Sequence, residues 1–408
     1  MMANIVDLGA WKGTLQKNGK GGPKKNVTNL LIHIQNMRGL GGAIRWNELA
    51  QRAEWNGQPI EDSDLIEMRL MMEAQDFEPP VNDLLQTVVK HAKTNSFHPV
   101  REYLKGLRWD GVKRLDFWLH QCLGAPQTPF NKLVGRKTLI AAVARAMRPG
   151  CKVDTVLVLE GPQGIKKSTA IAALFNEEWT AESVNLFDQH NKMVMSMMGA
   201  WVVELAEFVA IAKRDQNTVK GILSMRNDRV VLPYAKIASD HPRQCVFFGT
   251  INPGDMGYLT DKTGNRRYWP VEVAKADIGL IEDRRDQLWA EAFRAYLDGE
   301  RWWLEEEEYA LAGDIVSDRE EYDVWEEILA NRIGHKSAEL NRPVDALSVA
   351  DALQLLGLPN ERMGRAEQLR AANVLRRLGF VADNKPSKVT DDDGKRRSVK
   401  LFRRKTDE

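Results

Sequence analysis

Residues 156–169 read VLVLEGPQGIKKST. A β-branched apolar run ends in a glycine-rich turn, and Lys-Ser-Thr then opens an apolar helix. A strand, a tight loop and a helix in immediate succession make the first half of an α/β unit. The spacing is that of G-x-x-x-x-G-K-[ST]: Gly161, Lys167 and Ser168 take the first, seventh and eighth positions. Backbone N–H groups of such a loop cradle phosphate oxygens, and the helix adds its positive end. Gly161, Pro162, Gln163, Gly164, Ile165, Lys166, Lys167, Ser168 and Thr169 are therefore the expected nucleotide contacts, with Lys167 reaching the terminal phosphates and the Ser168 hydroxyl on Mg²⁺. Lys166 stands where the second glycine belongs. It must adopt a conformation easy for glycine, which costs about 1–2 kcal/mol if left-handed.

Around this unit, strands and helices alternate. VLVLE, WVVELAE and CVFFGT read as short buried strands and TAIAALF as the helix after the loop. That alternation predicts a mostly parallel sheet. A chain of 408 residues is too long for one core. Five segments follow from composition and periodicity: a flexible leader over 1–25, rich in Gly and Lys; a helical N-terminal collar over 26–130; a phosphate-loop ATPase core over 131–280; a charged helical connecting layer over 281–342; and a terminal domain over 343–408. In the last, two helices followed by strand-like GFVAD and RSVKLFRR outline a winged helix-turn-helix.

The acidic strand carries Glu204 near its end and Glu207 three residues on. One carboxylate is needed at the metal and a second to orient and deprotonate water. We assign Glu204 to Mg²⁺ and Glu207 to water, with the reverse also open. The strand QCVFFGTINP ends in Thr250 and Asn252, and a polar group there can position water beside the γ-phosphate. Arg266 and Arg267 follow in the loop DKTGNRRYWPV, suited to stabilising transition-state charge in cis or across a subunit boundary. Between these strands RVVLPYAKIA reads as a hairpin. Its Arg229, Tyr234 and Lys236 combine a stacking ring with cations, which suits a single strand of DNA.

The formal net charge of +1 excludes a global basic field, so any nucleic-acid contact must be a local patch. Cys122, Cys151 and Cys245 lie far apart, with no paired spacing for zinc. No apolar run is long enough to span a bilayer, and a cytoplasmic location with no membrane partner is expected.

Taken in order, HPVREYLKGLRWDGVKRL, EGPQGIKKST, WVVELAE and GTINPGDMGYLTDKTGNRRYWPV resemble the virulence-associated protein E family of phage and prophage proteins, which have a superfamily 3 helicase-like AAA+ ATPase core. The resemblance covers roughly residues 95–275. It implies an ATP- and Mg²⁺-dependent, ring-forming, hexameric DNA helicase or replication initiator of a phage or mobile element. It also implies nucleotide-site roles for Lys167, Ser168, Glu204, Glu207, Asn252 and the Arg266/Arg267 pair, and a DNA-gripping role in the pore for Lys236. Single-stranded or forked DNA is the implied partner. No segment reads as a primase, so a separate polypeptide would supply priming. Two other readings stay open on the residues alone: a non-translocating, ATP-switched DNA-binding or origin-recognition protein, and a small-molecule kinase.

Overall fold

Strand β5 (Val156–Glu160) is built from the apolar run that precedes the loop, and four of its five residues are buried. A computed structural model of the chain describes residues 10–182, 184–206, 208, 216–232, 235, 237–252, 265–309, 311, 324–339, 344–359, 362–383, 385–390 and 396–404. By its contacts the chain divides into two units, Met1–Glu320 and Glu321–Glu408.

In the first unit, helices Val27–Asn36, Asp62–Glu73 and Val81–Thr94 carry the expected helical periodicity. The collar is not all helix, however. Strands β1 (Ile44–Asn47), β2 (Arg52–Trp55), β3 (Gln58–Pro59) and β4 (Ser96–Phe97) form a sheet in the order β3-β2-β1-β4. Leu30, Ile34, Ile44, Trp46, Met68, Met72, Phe77 and Val88 close a core between this sheet and the helices. Residues 10–25, expected as a loose leader, are folded onto the first helix. The buried Asn29 side chain donates to the carbonyls of Gln16 (2.8 Å) and Lys24 (2.9 Å) and accepts from the Gln16 N–H (2.9 Å).

The central sheet adds β6 (Thr180–Ala181), β7 (Val202–Leu205), β10 (Val246–Ile251) and β11 (Tyr268–Glu272) to β5, in the order β11-β5-β10-β7-β6. Every pairing is parallel. Helices cover both faces, which is why β5, β7 and β10 read as mostly apolar runs, with Glu204 and Thr250 as the polar exceptions inside β7 and β10. On one face helices Pro129–Met147, Lys167–Phe175 and Ile278–Leu297 pack against Leu157, Leu159, Val202 and Phe248. Trp201 and Trp289 meet there at 4.1 Å between ring centroids, and Phe175 packs edge-on to both. Their indole N–H groups donate to the carbonyls of Ala142 (2.8 Å) and Leu174 (2.7 Å), so the cluster also ties three helices together. The opposite face buries Val156, Val158, Val203, Leu205 and Phe247 against helices His190–Met197 and Gln216–Ser224.

A two-stranded ribbon joins β8 (Asn227–Val230) to β9 (Ser239–Pro242) in antiparallel register, Arg229 opposite Asp240. The ribbon brackets the segment expected to form the hairpin, RVVLPYAKIA, of which only Arg229 and Val230 lie in a strand among the described residues. At its base Arg243 grips Asp228 through two hydrogen bonds of 2.6 and 3.0 Å, both side chains being at most 5% exposed.

The second unit starts with helix Val324–Glu339, which packs its Leu329 and Ile333 into a core with Leu353, Val374, Phe380 and Phe402. The segment expected as a single connecting layer is therefore divided: Ile278–Leu297 belongs to the central sheet and Val324–Glu339 to the terminal unit. β12 (Ala346–Ser348), helices Val349–Leu355 and Arg365–Arg377, β13 (Phe380–Ala382), the β14/β15 hairpin (Ser387–Thr390, Arg396–Val399) and β16 (Leu401–Arg404) follow. β16 lies between β12 and β13, antiparallel to both. Ser348 and Asp351 cap the second helix reciprocally.

No described helix is long and apolar enough to cross a membrane.

Candidate functional site at the carboxyl edge of the central sheet

The loop 161–166 leaves the carboxyl end of β5 and enters helix Lys167–Phe175 directly. Gly161 is required by space: a Cβ there would stand 2.4 Å from the Val273 carbonyl oxygen. Gly164 is required by conformation, with φ +86°. Lys166 caps the helix at φ 66°, ψ 40°, the left-handed geometry its position demanded. Its side chain is exposed, as are Pro162, Gln163 and Thr169, while Ile165 folds inward on the core.

Lys167 is buried, 8% exposed, and its ammonium donates to the carbonyls of Gly161 (2.6 Å) and Pro162 (3.0 Å) and to Asn252 Oδ1 (3.1 Å). Burial lowers its pKa, and the nearby Glu204 carboxylate opposes the shift. Residues two apart on a strand share a face. Val202 packs on the same face as helix Lys167–Phe175, and Glu204 follows it by two, so its carboxylate arrives beside that helix. The Ser168 hydroxyl donates to Glu204 Oε1 at 2.7 Å and the Thr250 hydroxyl to the same oxygen at 2.9 Å. Glu204 is 2% exposed. Because β10 lies between β5 and β7, Thr250 and Asn252 at its end stand between the lysine and the carboxylate.

Four residues predicted to act together are thus assembled: Lys167, Ser168, Glu204 and Asn252. Thr250, expected only as a polar strand tip, is buried as the second partner of Glu204. The donors beside Ser168 are all oxygens, the set a hard divalent cation takes. A loop of this form between a strand and a helix is one that can turn backbone N–H groups toward an anion.

Arg266 and Arg267 are not part of this assembly. They precede β11, which runs parallel to β5 with Tyr268 opposite Val156. They therefore stand at the amino edge of the sheet, separated from the loop by the strand length, roughly 20 Å. Arg267 lies 3.7 Å from Asp154 and donates to Ser224 Oγ at 3.3 Å. Arg229 is exposed on β8, away from the loop. Glu207, Tyr234 and Lys236 lie outside the described residues.

A family model, the virulence-associated protein E-like domain, matches residues 104–321, more than half of the chain. The protein belongs to that family. Solved structures align with it, among them these two. "The A form apo structure of NrS-1 C terminal region-CTR" is 12% identical, covers 89% of this chain and 96% of that chain, and has a TM-score of 0.47. The form described as CTR(305-718) has the same identity and coverage, with a TM-score of 0.46. No curated protein sequence matches the chain.

Proposed function

We propose that the chain is a P-loop ATPase of the AAA+, superfamily 3 helicase-like class, acting as a ring-forming DNA helicase or replication initiator for a phage or mobile element. The observation that carries this reading is the pairing of Ser168 with the buried Glu204 beside a Lys167 held by Asn252. A strand-end carboxylate and a loop hydroxyl in contact are what a Mg²⁺ site on a triphosphate requires, and the lysine beside them meets the phosphates. Lys167 would exchange its loop carbonyls for phosphate oxygens. Ser168 and Glu204 would hold the metal, which neutralises phosphate charge when bound. Asn252 would orient water, and Glu207 would take its proton. The second unit, with the strand and helix order of a winged helix, would bind duplex DNA. The β8/β9 ribbon, with Arg229 and the Tyr234 and Lys236 positions, would meet a single strand.

The position of Arg266 and Arg267 favours action in trans. One chain cannot bring them to its own loop, so a neighbouring subunit would present them, an effect worth roughly 10³–10⁵ in rate. The test is ATP turnover with and without forked DNA. Lys167→Ala should abolish it, and specific activity should rise with protein concentration. Lys167→Ala mixed with Arg266→Ala/Arg267→Ala should regain activity through hybrid interfaces. Turnover that survives Lys167→Ala ends the P-loop reading. Turnover without strand displacement favours the ATP-switched DNA-binding protein instead.

A further inference from the structure

A cavity of about 470 Å³ opens at the amino edge of the central sheet, opposite the loop 161–166. That size falls within the range of small-ligand pockets. Its walls bring together Arg148, Lys152, Arg226, Arg266 and Arg267 against a single carboxylate, Asp154, among the described residues. Such an excess of cations around one concavity repels itself unless an anion enters. Aromatic residues complete the lining: Trp269, Trp302 and Trp303. Trp302 and Trp303 meet edge to face at 5.1 Å, and the Trp302 N–H is fixed on the Lys152 carbonyl at 2.9 Å, which leaves Trp303 standing 46% exposed at the rim.

Two donors behind the wall are left without a hydrogen bond. Trp269 is 1% exposed, yet its indole N–H has no hydrogen-bond partner among the described residues. The Nε–H of Arg267 is likewise unpartnered by a hydrogen bond, its nearest acceptor being Asp154 at 3.7 Å.

We propose that this cavity is a second nucleotide site, taking a nucleoside phosphate. The phosphate meets Arg148, Lys152 and Arg226, which leaves Arg266 and Arg267 to the neighbouring loop, and the base lies against the tryptophans. One chain forms it, and it does not depend on the P-loop.

The experiment measures ATP binding by equilibrium dialysis and tryptophan quenching, without added metal, on the full-length Lys167→Ala protein kept dilute. One equivalent of ATP per chain, with quenching, is expected. Adding Arg148→Glu/Lys152→Glu, two exposed side chains whose reversal spares the core, should weaken it by about tenfold or more. Trp303→Ala should weaken ATP but leave tripolyphosphate unchanged. Absence of binding to Lys167→Ala, or charge reversal without effect, overturns the proposal. Tripolyphosphate as tight as ATP would make it a plain anion site. A thymidine oligomer displacing ATP at far lower concentration would make it a strand site. Both outcomes refute the nucleotide assignment. If the wild type binds one equivalent that charge reversal removes and Lys167→Ala does not, this site stands and the P-loop reading falls.

Discussion

Lys166 occupies a position that most such loops give to glycine, and its conformation allows the effect to be worked out. At φ 66° and ψ 40° the backbone is left-handed, which costs a residue with a Cβ about 1–2 kcal/mol relative to glycine. Lys166→Gly removes that strain. It also frees the unfolded chain, which takes back about 0.5–1 kcal/mol. The net is a stabilisation of about 0–1.5 kcal/mol. Lys166→Ala keeps the Cβ and loses only an exposed charge, so it should change stability by less than about 0.5 kcal/mol. Asparagine tolerates this region better than most residues, so Lys166→Asn should fall between. Urea unfolding followed by tryptophan fluorescence gives the order Gly, Asn, then Ala with Lys. ATP turnover of Lys166→Gly should equal or exceed that of the wild type. If Ala stabilises as much as Gly, the charge and not the backbone is the cause. If Gly destabilises, the strain argument is wrong.

Three further outcomes are expected. Arg243→Ala strands the buried Asp228 carboxylate and should destabilise by about 3–5 kcal/mol in urea unfolding, whereas Arg243→Met with Asp228→Leu should lose much less. Burial holds His98 at about 4, against the opposing Gln244 hydrogen bond; its Nδ1 accepts the Arg101 N–H at 3.2 Å while Nε2 meets Gln244 Oε1 at 2.6 Å, so the folded form is neutral. The unfolded state takes up a proton near 6.5 that the folded state refuses, so stability is full above about pH 6.5 and falls toward pH 4 by about 3 kcal/mol in all; His98→Asn, which keeps a cap acceptor, should flatten that slope in unfolding measured across the window. Removing residues 321–408 should spare basal ATP turnover and lower duplex affinity in a salt-dependent titration; a cut at 343 would instead strip helix Val324–Glu339 of its core.

Much of the central sheet was legible because strands buried on both faces leave apolar runs with no alternation to misread. β5 spans the VLVLE run itself, and the helix after the loop starts at Lys167. The collar sheet left no such trace. Its strands are four residues or fewer, IRWN and RAEW among them, and mix charge with aromatics. The fold of residues 10–25 rests on contacts such as those of the buried Asn29 and of Trp11 with His33, which composition cannot reveal. At the candidate site, residue types and their order indicated Lys167, Ser168, Glu204 and Asn252. The pairing of Thr250 with Glu204 depends on strand order, which the sequence does not state.

Strand order also decides what the arginines can do. Had the chain turned back so that β11 ran antiparallel to β5, residues just before it would open at the carboxyl edge, beside the loop. Its parallel register, Tyr268 on Val156 and Glu272 on Glu160, sends them to the far edge. The same parallel rule puts every strand's carboxyl end at one edge, where Lys167, Glu204, Thr250 and Asn252 collect. A one-residue slip of β10 would turn Thr250 to the opposite face and leave Glu204 with Ser168 alone. The sheet's topology therefore gathers the residues of the candidate site in one chain. Under the proposed function, charge compensation from Arg266 and Arg267 would fall to a second chain, and a head-to-tail assembly would have to bring the amino edge of one sheet to the carboxyl edge of the next.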